Sequence, residues 1–270
     1  MLRKWSYALF FIPVLCLCAC GKKEEPATEE PAAPVVTPGE MVLIPAGEFT
    51  LGANDKDSSA FPEQKMNLPA FWIDKYEVTN KQFLDFAIEK SYAGEGAKEG
   101  KDWRSFFTPT KALHPVVFIT WNDAKAYCEG QGKRLPTEQE WEKAARGTDG
   151  FRYPWGQTWD TGKSNTYETG TRETADVGSS GDVSPFGVND MLGNVQEWTA
   201  SWYQPYKGNT KKDENFGQRF RVVRGASRVI YGARAHLWDR SAYLPNSLYD
   251  FGCRCAKDAT PEETAKAGQK

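Results

Sequence analysis

Between Asn189 and Glu197 the chain gathers two asparagines and two carboxylates: Asn189, Asp190, Asn194 and Glu197. The segment opens at Gly187 and closes at Trp198. Hard cations are held by carboxylates, amide oxygens and backbone carbonyls, and glycine lets the backbone approach closely. The same residues also suit a polar turn fixed by side-chain hydrogen bonds. A second concentration runs from Arg228 to Tyr249 and holds Arg228, Tyr231, Arg234, His236, Trp238, Asp239, Arg240, Tyr243 and Tyr249. Aromatic and arginine side chains on loops suit recognition. Trp238 and Arg240 are read instead as internal supports, a tryptophan to bury and an arginine to pair. The histidines are limited to His114 and His236, so a three-histidine metal site is impossible. A two-histidine, one-carboxylate site would require both to meet. His114, in a His-Pro turn, reads as a loop hydrogen bond.

Those residues need a frame, and the composition allows one. The 270 residues are 40% hydrophobic and 26% charged, which suits one large domain or two small ones. A formal net charge of −2 leaves no basic surplus, so nucleic acid is not an expected partner. With 10 tryptophans and 13% aromatic residues, the core is expected to pack rings against rings.

The N-terminus reads as an address. Arg3 and Lys4 precede an apolar run from Tyr7 to Ala19, too short for a comfortable membrane span and suited to a signal-peptide core. Leu17-Cys18-Ala19-Cys20 resembles the bacterial lipobox, which implies cleavage before Cys20 and a diacylglyceryl group on its thiol. Such chains anchor by burying methylenes at about 0.8 kcal/mol each. Gly21 in the next position resembles lipoproteins released to the outer membrane. From Cys20 to residue 40, glutamates, prolines and alanines alternate without apolar periodicity, the signature of a disordered tether. The expected organisation is a signal peptide over 1–19, a lipidated tether over 20–40, a folded domain over 41–257 and a frayed polar tail over 258–270. Processing would leave Cys128, Cys253 and Cys255. In an oxidising compartment two of them should pair. On one strand Cys253 and Cys255 share a face, so either could meet Cys128.

Three capping boxes announce helices: Thr79 to Gln82, Thr120 to Asp123 and Thr137 to Glu140, the last helix stopped by Gly147. Strand signals are short: Met41–Ile44, Phe71–Ile73, Val116–Ile119, Phe220–Arg224 and Phe251–Cys255. No repeat of 20–50 residues is visible. Long Gly-, Asn-, Asp-, Ser- and Pro-rich stretches separate the elements, and loops of that length are usually functional or pinned. The pattern predicts an α+β fold with low regular content.

In order along the chain, Met41-Val-Leu-Ile-Pro-Ala-Gly47, Phe71-Trp-Ile-Asp-Lys-Tyr-Glu-Val-Thr-Asn80, Thr120-Trp-Asn-Asp-Ala124 with Lys133-Arg-Leu-Pro-Thr-Glu-Gln-Glu-Trp-Glu142, Tyr153-Pro-Trp-Gly156, Gly193-Asn-Val-Gln-Glu-Trp198, Arg224-Gly-Ala-Ser227 and Gly252-Cys-Arg-Cys-Ala256 resemble the formylglycine-generating enzyme, or sulfatase-modifying factor, domain. The resemblance covers Met41 to Lys257. It implies the irregular α+β fold of the C-type-lectin type, whose relatives include lectin-like display domains that bind many partners through the region matching Arg228–Tyr249. A protein or peptide ligand in that cleft is therefore expected.

The resemblance also implies calcium. One site maps onto the carboxylates of Asp190 and Glu197 and the carbonyls of Gly193 and Val195. A second begins at Asn165 and Thr166, but its acidic loop is shortened, so either Glu168, Glu173 or Asp176 completes it or the site is lost. The family disulfide maps onto Cys128 and Cys255, a long loop closure nominally worth about 4–5 kcal/mol, and leaves Cys253 as the free thiol. The family oxidase uses two cysteines five residues apart to bind Cu(I), because soft thiolates suit that ion. Counted back from Arg240, those positions fall near Gly232 and Leu237, and Arg224–Gly252 contains no cysteine. Copper is therefore not expected. The expected function is an envelope-anchored binding or scaffold module; the alternative is an oxidase, or other enzyme, using the same cleft.

Overall fold

The computed structural model describes residues 36–96 and 102–267. The signal-peptide run, Cys20 and most of the tether lie outside the described residues.

All three capping boxes form. Thr79, Thr120 and Thr137 each accept the N–H three residues on, and Gln82, Asp123 and Glu140 each take the N–H of the capping threonine. They open helices α1 (Asn80–Glu89), α2 (Trp121–Gly130) and α3 (Glu138–Arg146). Strands β1 (Met41–Ile44), β4 (Phe71–Asp74) and β8 (Ala256–Asp258) form one antiparallel sheet in the order β1-β4-β8. Strands β2 (Gly47–Leu51) and β3 (Gln64–Leu68) pair antiparallel, with Phe49 opposite Met66. Strands β5 (Glu197–Trp202), β6 (Arg221–Arg224) and β7 (Arg240–Tyr243) make the third sheet, also antiparallel. The fold is α+β with low regular content, as expected.

Two expected strands are not strands. At Val116–Ile119 the backbone of Phe118 turns left-handed, with φ 57°, and the chain is held by single bonds: Val116 N–H donates to Val78 O and Phe118 N–H to Tyr249 O. Phe251–Cys255 bonds first to one neighbour and then to another. Gly252 exchanges bonds with Gln196 and Trp198, while the carbonyls of Cys253 and Cys255 accept from Val78 and Asp74. Apolar content alone does not distinguish such a crossing segment from a ladder. The polar tail also differs from expectation. Pro261–Ala267 winds into a short helix, α4, because Thr260 and Glu263 exchange backbone and side-chain bonds in a fourth capping box.

The aromatic core appears as predicted. Phe83 packs edge-on to Trp103 and stacks on Tyr127, in a cluster that includes Trp198, Phe251 and the Cys128–Cys255 disulfide. A second cluster joins Ile44, Phe71 and Ile73 to Trp141, Met191 and Leu237.

Helix α3 is the centre of the domain despite its charge. Seven of its side chains bear Glu, Gln, Lys, Arg or Trp, yet Glu138, Glu142, Lys143 and Arg146 are all buried. Glu138 holds Arg240 through two bonds of 2.7 and 2.8 Å. Glu142 holds Arg146 and Arg224, each at 2.6 Å, and accepts the Gly52 N–H at 2.7 Å. Lys143 donates to the carbonyls of Pro45 and Gly47. Burying charge is tolerable only when geometry and extra hydrogen bonds compensate desolvation, and here every carboxylate is bonded. Glu142→Ala would leave buried Arg146 without a carboxylate and buried Arg224 with Glu138 alone, at 3.6 Å. The expected loss is about 3–5 kcal/mol, read as a lowered denaturant midpoint with the slope unchanged.

Candidate functional site

The turn Arg224-Gly225-Ala226-Ser227 leaves β6 directly above α3. Gly225 has φ 83°, and a Cβ there would meet Met191 O and the Trp141 ring at 3.3–3.4 Å, so only glycine fits the bend without strain. The chain then returns through Gly232–Arg234, a single 3₁₀ turn, to β7. Glu168 fixes that turn by accepting the N–H groups of Gly232 and Ala233 at 2.9 and 3.0 Å. Against burial, which raises it, those donors hold the Glu168 carboxyl below its ordinary value.

Between turn and sheet lies a cleft of about 420 Å³, lined by Gln196, Gly225, Ala226, Val229, Ile230, Tyr231, Arg234, Ala235, Asp239 and Ser241. Of the expected ligand residues it takes in Tyr231 and Arg234. Tyr231 packs on Tyr167 with centroids 4.1 Å apart. Arg228 instead reaches Arg172 O and Asp250. His236 stacks on Trp238 at 4.5 Å, and Trp238 lies under Arg146. Arg152 donates to His236 Nε2 at 2.6 Å, which leaves the ring proton on Nδ1, 3.4 Å from Asp239 Oδ2. His114 pairs with Thr174 Oγ1, a loop hydrogen bond as predicted, so the two histidines serve separate loops. Arg240 and Trp238 are internal supports, as read.

Leu237 is fully buried in the second core cluster, and a Cβ on Gly232 would strike Trp159. Neither position lines the cleft. Ile230 and Ala235 do, and they are five residues apart. The wall therefore carries no sulfur under either count. Asp239 belongs to the segment read for recognition, whereas Gln196 and Ser241 carry no such signal in the sequence. Ser241 follows from strand alternation, since Arg240 beside it turns inward to Glu138.

Beneath the cleft the 189–197 segment is folded around buried acid. Asp190 and Asn194 both have left-handed backbones, φ 58° and 64°. Asp190 accepts from Gly178 N–H at 2.6 Å and Ser180 Oγ at 2.9 Å. Burial, then the neighbouring Asp182, pushes its carboxyl up to about 7. Glu197 takes two bonds from Arg254, at 2.7 and 2.8 Å, and one from Trp141 Nε1 at 2.9 Å. Glu77, which no sequence signal had singled out, accepts from Asn194 Nδ2 and Val195 N–H, and burial followed by Asp190 and Glu197 pushes it well up.

These donors are the types a hard cation uses. No hydrogen bond among the described residues ends on the carbonyl of Gly193 or Val195. Glu77, Asp182, Asp190 and Glu197 face the single guanidinium of Arg254, so the pocket has carboxylate to spare. Among the described residues no group of three or more His, Cys, Asp or Glu side chains could hold a metal. A set of two carboxylates and two carbonyls does not need one. Glu197 would have to share its oxygens with Arg254. The second set is dispersed: Asn165 Oδ1 accepts from Thr169 and Thr171, Glu173 pairs with Lys111, and Glu168 caps the turn described above.

The family model for the sulfatase-modifying factor enzyme 1-like domain matches residues 26–259. The chain belongs to that family. The mouse protein named inactive C-alpha-formylglycine-generating enzyme 2 is 31% identical, over 91% of this chain and 92% of its own. The bovine formylglycine-generating enzyme is 29% identical, over 90% and 86%. Among solved structures, PvdO from Pseudomonas aeruginosa superposes with a TM-score of 0.61 at 26% identity, over 81% of this chain and 94% of its own.

Within this sulfatase-modifying-factor fold, Cys128 and Cys255 form the implied disulfide, with Cα atoms 5.5 Å apart, and Cys253 is free. Cys253 is fully buried in the first core cluster, away from the cleft wall. Burial, then Glu197 and Asp74, pushes its thiol well above the ordinary range, so it stays protonated and unreactive. Iodoacetamide is expected to leave Cys253 unmodified in native protein at pH 8 and to alkylate it fully in denaturant, as read by mass spectrometry. Rapid native labelling would mean the thiol is reachable.

Proposed function

We propose that this protein is an envelope-anchored lipoprotein whose sulfatase-modifying-factor domain serves as a calcium-stabilised binding or scaffold module rather than a copper oxidase. One observation carries the reading: the cleft between the Gly225 turn and β7 is walled by Ile230, Ala235, Gln196 and Ser241, with no thiol. Oxidation of a substrate cysteine through Cu(I) needs soft sulfur ligands. What the wall offers instead is a recognition mixture: exposed Val229 and Tyr231, the Arg234 guanidinium, one carboxylate and two neutral polar groups. The similarity to a relative named inactive supports the same reading.

Calcium would be held by Asp190, Glu197 and the carbonyls of Gly193 and Val195. Bound there, it would supply positive charge to a pocket rich in carboxylate and pin the loop that supports the cleft floor. On this reading the lipobox-like Leu17–Cys20 carries a lipid on Cys20 that anchors the protein in the outer membrane, with the Pro- and Glu-rich tether following it. A protein or peptide occupies the cleft on this reading.

Three measurements test it. Titration of Cu(I) with a cysteine-containing peptide is expected to give neither tight binding nor turnover; aldehyde formation on the peptide would establish the oxidase instead. Chelation of calcium is expected to lower the melting temperature by about 5–10 °C, the linkage of a site held near a hundredfold over its dissociation constant, and an unchanged melt would remove the cation. Cys20→Ser is expected to shift the protein from the membrane to the soluble fraction and abolish labelling by a fatty-acid probe.

A further inference from the structure

Beyond the cleft, Arg221 is held by aromatic rings rather than by a carboxylate. Arg221 opens β6, and its guanidinium carbon lies 3.8 Å from the ring centre of Trp121 and 3.3 Å from that of Trp202. At such distances the plane is sandwiched, its faces covered and its edge left for hydrogen bonds. Nη1 donates to Ala200 O at 2.7 Å. Nε is buried and makes no hydrogen bond, and Nη2 has no partner among the described residues. No carboxylate among the described residues lies within ion-pair distance of it. Burial, unopposed by any neighbouring charge, lowers its pKa to about 10.

Arg221 lines a groove of about 270 Å³ that shares no residue with the cleft. Trp121, Leu135 and Ala200 supply an apolar wall, and Thr137 a hydroxyl. The other charges on the wall are already paired. Lys125 meets Glu129 at 2.7 Å, and Arg134 meets Glu140 at 2.7 Å and Asp258 at 2.5 Å. The volume lies just below the usual range for drug-sized ligands, about 300–1,000 Å³, and suits a group the size of one amino-acid residue.

We propose that this groove is a second binding site, for a carboxylate borne on a small apolar group, with the Arg221 guanidinium taking the carboxylate and Trp121, Leu135 and Ala200 the apolar body. A planar guanidinium held against two rings loses little freedom on pairing, and Nη2, which has no partner among the described residues, is the donor left for a carboxylate oxygen. The carboxylate could end a peptide or belong to a free organic acid; the chemistry recognised is the same.

Isothermal titration of the full-length protein tests this with N-acetyl-leucine, its amide N-acetyl-leucinamide, and a tetrapeptide ending in leucine with a free carboxylate. The acid is expected to bind at least tenfold tighter than the amide, and Arg221→Gln to weaken the acid at least tenfold while leaving the amide unchanged. A peptide bound tenfold tighter than the acid assigns the site to a peptide terminus; equal affinity assigns it to a small acid. Acid and amide binding alike, no binding of any carboxylate, or an Arg221→Gln protein that binds the acid normally each overturns the proposal. Should Arg221→Gln fail to fold, the comparison of acid with amide on the unaltered protein still decides.

Discussion

The interior of this domain depends on carboxylates projecting from one short helix. Glu138 and Glu142 of α3 bind Arg146 on the helix itself and arginines from two distant stretches, Arg224 at the end of β6 and Arg240 at the start of β7. Arg224 and Arg240 bracket the segment that carries the cleft, so two ion pairs set both of its ends. Glu142 reaches further, through the Gly52 N–H, to the end of β2. A hydrophobic helix could fill the same volume, often with equal stability. It could not fix where three loops enter the site, because apolar contacts do not specify direction. Arg254 plays the parallel part below, tying Glu197 to the carbonyls of Asp74 and Asn189.

This arrangement explains which parts of the fold were legible in the residues. The helices were, because a threonine followed three residues later by an acid or amide satisfies backbone donors locally, whatever surrounds it. Strand β1 was, as a bounded apolar run. The burial of α3 was not: Glu138-Gln-Glu-Trp-Glu-Lys143 has the composition of a solvated face, and only arginines more than eighty residues away make it internal. Val116–Ile119 and Phe251–Cys255 misled for a related reason. Each is apolar because it crosses the core, yet each takes hydrogen bonds from several neighbours in turn rather than from one strand.

The cleft was half legible. Tyr231 and Arg234 stood out by residue type, while Gln196 and Ser241 are ordinary residues placed there by the sheet. His236 looked like a ligand group and instead stacks on the internal support Trp238, with Arg152 on its Nε2 and Arg146 over the Trp238 ring. Cys253 and Cys255, equivalent by spacing, are separated by what the chain between them does: Arg254 turns wholly inward, and only Cys255 faces Cys128. Glu77 escaped notice because its partners, Asn194 and Val195, come from the far half of the chain.

The rim of the cleft is decoupled from this frame. Val229 and Tyr231 are 48% and 47% exposed, between anchor points that lie outside them. Substitutions at such surface positions usually change stability by less than about 0.5 kcal/mol. Side chains at the rim can therefore be exchanged while the skeleton stays put, so the shape and charge of the cleft mouth can vary with folding left intact.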